Sequence, residues 1–221
     1  MKRNQSGFTL IEIAIVLVII GLLLGGVLKG QELINSAKVK NLAGDFKNTS
    51  LFIYSYQDKY HALPGDDPLA ASHVTGATNA TGPAGSARGD GKIDGAWNST
   101  TDTEESFLFW QHVRLAGIAA GSTNVADLLG YTPRNTSGGQ IGITNSAAMA
   151  ISGVAAGSRL SGAYIICSEG ILGKFAKQLD ITLDDGNSGS GTMMAITGTT
   201  TGVTAVGNPV DNDLYTVCMG V

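Results

Sequence analysis

The stretch that decides the fold begins Gly7-Phe8-Thr9-Leu10-Ile11-Glu12 and continues Ile13-Ala14-Ile15-Val16-Leu17-Val18-Ile19-Ile20-Gly21-Leu22-Leu23-Leu24-Gly25-Gly26-Val27-Leu28. From Phe8 onward it is a run of 21 residues holding one charge, Glu12. A helix of that length spans about 31 Å, close to the thickness of a bilayer core. Lys2 and Arg3 precede the run and Lys29 follows it. The positive-inside rule then puts the N-terminus in the cytoplasm and everything after Lys29 outside.

The run also explains the composition. Mean hydropathy is +0.14 and hydrophobic residues make up 43% of 221, yet only 14% are charged and 31 are glycine. Residues 8–28 supply the positive hydropathy; the remainder averages slightly below zero, like an ordinary soluble domain of low charge. A net charge of −4 argues against a general nucleic-acid binder. Five prolines and no three-residue glycine period exclude collagen, and two cysteines are too few for a disulfide-rich scaffold.

Three readings of the run compete. A secretory signal peptide has a shorter apolar region and ends at a small-residue cleavage site, which Gly25-Gly26 fits poorly. A plain membrane anchor leaves Glu12 unexplained, because a carboxylate within a membrane helix is expensive and asks for a partner. The third reading accounts for it. A short basic leader, Gly7 before Phe8, then Thr9-Leu10-Ile11, Glu12 and an apolar helix closely resemble the class III signal of type IV pilins and type II secretion pseudopilins.

The resemblance implies that prepilin peptidase cuts between Gly7 and Phe8 and methylates the new amine of Phe8. It pairs the carboxylate of Glu12 with the N-terminal amine of a neighbouring subunit, since two charges inside an apolar bundle need each other. The implied partners are other copies and other pilins in a helical filament, the peptidase, an inner-membrane assembly platform and the membrane itself. The implied place is the inner membrane as a single-pass precursor, then an extracellular pilus or a periplasmic pseudopilus. Many type IVa pilins carry proline where this chain has Lys29, so the resemblance carries no helix kink there. An anchored adhesin or binding module is a reading from a different class.

Beyond the run, Leu33-Ile34, Ala37, Leu42, Phe46 and Leu51-Phe52-Ile53 recur every three or four residues, with charges between them. This predicts an amphipathic helix continuing to about Asp58, before Leu63-Pro64-Gly65 stops it, for a total of about 75 Å. Gly21, Gly25 and Gly26 suit close packing between apolar helices. Residues 70–102 are rich in Ala, Gly, Ser, Thr and Asn and read as a surface-lying loop. A helix over residues 107–118 follows, with Thr101 and Glu104 as a capping box and Asp102 as the alternative cap.

Further on, a short helix is expected near residues 125–129 and another over 169–179. Strands are expected at 140–144, 147–154, 160–166, 192–197 and 214–219, with a turn at Asp184-Asp185-Gly186-Asn187. The sum is an α+β, pilin-like fold: a long N-terminal helix packed on an antiparallel sheet. It divides into a leader (1–7), a membrane or filament-core helix (8–28), an amphipathic helical half (29–58) and a head (59–221).

Cys167 and Cys218 lie outside the cytoplasm by this topology, where a disulfide is favoured; pilins commonly staple their C-terminal loop this way. Closing a loop of that size contributes about 4 kcal/mol in the chain-entropy model. Two free thiols on two strands are the alternative. Asp90-Gly91-Lys92-Ile93-Asp94-Gly95 starts like a calcium loop, but Lys92 and Thr101 occupy positions where an EF-hand needs ligands. Asp90 and Asp94 remain calcium candidates beside their role as turn formers, and Asp184 and Asp185 are a second pair. His61, His73 and His112 have no metal-ligand spacing, and no nucleophile elbow or P-loop is present. The expected mechanism is assembly, not catalysis, without a cofactor.

Overall fold

The computed structural model describes residues 9–81, 89–147, 149, 151–152, 160–198 and 203–221. Gly7 and Phe8 lie outside the described residues, as does much of the strand expected at 147–154. The chain forms two compact units, Met1–Lys38 and Val39–Val221.

A single helix, α1 (Leu10–Tyr60), passes through both. In the first unit its apolar side chains are exposed, Leu10 at 92% and Leu22 at 73%. In the second, Val39, Leu42, Ala43, Phe46, Thr49, Ile53 and Tyr56 form one buried stripe. Their spacing of three and four residues puts them on one face, as the periodicity predicts.

That stripe joins a core with the interior-facing residues of a six-stranded sheet: β1 (Ile141–Asn145), β2 (Ile151–Ser152), β3 (Tyr164–Leu172), β4 (Met193–Thr197), β5 (Val203–Ala205) and β6 (Leu214–Gly220). The order is β1-β3-β6-β4-β5-β2. The first five pair antiparallel, and β2 adds a short parallel edge to β5. The sheet therefore gives the expected α+β architecture, a long N-terminal helix with an antiparallel sheet.

Strand alternation assigns the two faces. Ile166, Ile171, Met193, Ala195, Tyr215 and Val217 belong to the core with α1. Ile165, Cys167, Met194, Ile196 and Cys218 point the other way, under Trp97, Met149 and Leu160. Both faces are buried, which is why these strands read as nearly continuous apolar runs.

Four expectations shift. Residues 70–102 are not merely a surface loop: α2 (Ala70–His73) opens them, and Ala70, Val74, Ala77, Ala80, Ile93 and Trp97 are buried. Small side chains there serve tight packing. Helix α3 (Glu105–Leu115) starts later than a cap at Thr101 or Asp102 would place it, because its N-cap is Glu104. The Glu104 carboxylate instead accepts the N–H of Ala96, and Thr101 closes a backbone turn through its carbonyl. Short α4 (Leu128–Tyr131) lies three residues late, capped by Asp127. Finally β3 runs to Leu172, and α5 (Gly173–Leu183) begins only there. A register shift between Ser168 and Ile171, with Gly170 at φ +70°, carries the strand past the point where helical spacing began. Gly173 must lack a side chain, because a Cβ would overlap the Val210 carbonyl.

Candidate functional site

The N-terminal end of α1 is built around Glu12. The backbone N–H and the hydroxyl of Thr9 both donate to Glu12 Oε2, at 2.8 and 2.7 Å, and the N–H of Glu12 reaches back to Thr9 Oγ1 at 3.3 Å. Thr9-Leu10-Ile11-Glu12 is thus a capping box, satisfying donors that a helix start leaves open. Its sequence signature is Thr followed three residues later by Glu. One carboxylate oxygen, Oε2, holds the helix start, and Oε1 has no hydrogen-bond partner among the described residues. The helix continues through Gly21, Gly25 and Gly26, where nothing lies within 4 Å of an added Cβ, and past Lys29, which pairs with Glu32 at 2.7 Å.

In the head, Cys167 and Cys218 are joined by a disulfide. They are direct cross-strand partners on β3 and β6, both fully buried. The staple therefore locks two central strands together on the sheet face away from α1.

A hub that sequence reasoning passed over lies at Gly65-Asp66-Asp67. Asp67 is fully buried; its Oδ2 accepts from the Tyr56 hydroxyl at 2.8 Å and meets His73 Nδ1 at 2.7 Å, and its Oδ1 accepts the N–H of Leu69. Asp66 accepts the N–H groups of Gly89 and Gly91. His112 takes the Gly65 N–H on Nδ1, so its Nε2 carries the proton given to the Thr78 carbonyl. Burial holds the His112 imidazole below its ordinary pKa, in keeping with that neutral form. These groups tie the segment after α1 to α3. His61 is exposed on the rim of the cavity beside them. The signal was a pair of acids inside a turn between two apolar elements.

The calcium candidates are placed differently. Asp90 pairs with Lys92 at 3.0 Å, and Asp94 accepts from Asn145 at 2.6 Å. The Asp94 N–H in turn donates to Glu105, whose buried carboxyl is pushed up to about 8, first by burial and then by Asp66, Asp94 and Asp90. Elsewhere Asp180, Asp184 and Asp185 each offer an oxygen within 4.8 Å of the others. Asp184 also accepts the N–H groups of Thr192 and Met193. Asp180 is fully buried; its Oδ1 accepts from Gly186, and its Oδ2 lacks a partner among the described residues. Burial pushes it up to about 6.

Residues 2–28 match the family model of the prokaryotic N-terminal methylation motif. The chain carries the class III signal of type IV pilins and pseudopilins. That signal supports a pilin-like or pseudopilin precursor and points to a structural protein rather than an enzyme. The apolar helix beneath it is long enough to cross a bilayer and suits membrane anchoring before assembly. No curated protein and no solved structure matches the chain.

Proposed function

We propose that this chain is a structural subunit of a type IV pilus-like filament. Prepilin peptidase cuts between Gly7 and Phe8, Phe8 is methylated, and the mature subunit waits in the inner membrane with its head outside the cytoplasm. It then joins other copies and other pilins through the apolar half of α1. The observation that carries this reading is the methylation motif running without a break into the apolar helix. Glu12 contributes at two stages. Its capping box with Thr9 starts the helix, and its free oxygen is available to the Phe8 amine of a neighbour, so that neither charge is left alone in the apolar core.

Mass spectrometry of the N-terminus tests the processing: a mature chain beginning at methylated Phe8 is expected, and one beginning at Met1 overturns the proposal. Glu12→Ala is expected to be inserted and folded but to yield few filaments; a normal yield removes Glu12 from assembly.

A second reading concerns calcium. Three carboxylates meeting at Asp180, Asp184 and Asp185, one of them buried with an oxygen to spare, suit a hard divalent cation better than bulk water does. Calcium is then expected to raise the melting temperature of the folded chain, and Asp180→Asn to abolish that rise. Equal melting with calcium and with a chelator removes the site.

A further inference from the structure

We draw no further inference here: the strongest candidate, the cavity of about 710 Å³ beside the His73–Asp67 pair at the end of α1, is lined by Gly89, next to residues 82–88 that lie outside the described ones, and nothing in the structure shows what covers it.

Discussion

The two halves of α1 share one backbone and live by different rules. From Leu10 to Leu28 large apolar side chains are exposed on every side, and this stretch has no buried residue among those described. From Val39 to Tyr56 one face is buried, and the other carries Lys40, Lys47 and polar groups beside exposed Leu51 and Tyr54. Backbone hydrogen bonding is the same in both. What differs is where the hydrophobic free energy comes from: the sheet and α3 for the second half and, on the proposed function, lipid or neighbouring subunits for the first. Methylene deletions should therefore be felt in different assays.

The sharpest way to break that comparison is a pair of truncations. Phe46 is 1% exposed in the core, so Phe46→Ala should lower the unfolding free energy of the head by about 3–5 kcal/mol. Leu23 is 63% exposed, and Leu23→Ala should leave thermal unfolding of the head unchanged. Equal effects on the melting curve of the detergent-solubilised chain would mean that the two halves are not independent in this way.

A second test replaces the staple. Cys167 and Cys218 are 51 residues apart, and changing both to alanine should cost about 4 kcal/mol in the chain-entropy picture. The loss should appear in head unfolding and leave helix insertion into the membrane unaltered. Because both sulfurs are in the disulfide, wild-type protein unfolded without reductant should also show no thiol reactive toward an alkylating reagent.

These regions were not equally legible. The first half of α1 announces itself through uninterrupted hydropathy and one carboxylate in a signal-like context. The second half follows from its periodicity, and the strands from β-branched runs such as Ile165-Ile166. The end of β3 did not, because a bulge at Gly170 and a buried Gly173 are tertiary devices, made by what packs against them. Residues 70–102 misled for a related reason. Small polar-rich composition usually marks a free surface, yet here Asp66, His112 and Glu105 tie the backbone down at Gly89, Gly91, Thr78 and Asp94, and alanines fill the narrow space beneath. Each bonds to backbone 11 to 34 residues away, so no local pattern links them to it. The signal's own chemistry, by contrast, sits within six residues.

The acid that ties down this segment, unlike the exposed Glu12, is buried within the head. Glu105 is 1% exposed; one oxygen accepts the Asp94 N–H and the other has no partner among the described residues. Its folded pKa is raised to about 8, against 4.5 for the free side chain. Between these values the folded state binds the proton more tightly than the unfolded state. The stabilisation from this proton is therefore complete below about pH 4.5 and is lost as the pH rises through 8. Asp45 and Asp180, each raised to about 6, act in the same direction over a lower window. His112, held neutral by burial, acts oppositely below 6.5, where the unfolded chain takes up a proton that the folded one resists. Glu105→Gln keeps an acceptor for Asp94 and cannot ionise. It should melt above wild type at pH 8–9, by about 1–2 kcal/mol or about 2–8 °C, with the advantage shrinking to nothing near pH 4.5. Melting curves of both proteins from pH 4.5 to 9 test it, and parallel curves would mean that the buried Glu105 carboxyl is not holding its proton in the neutral range.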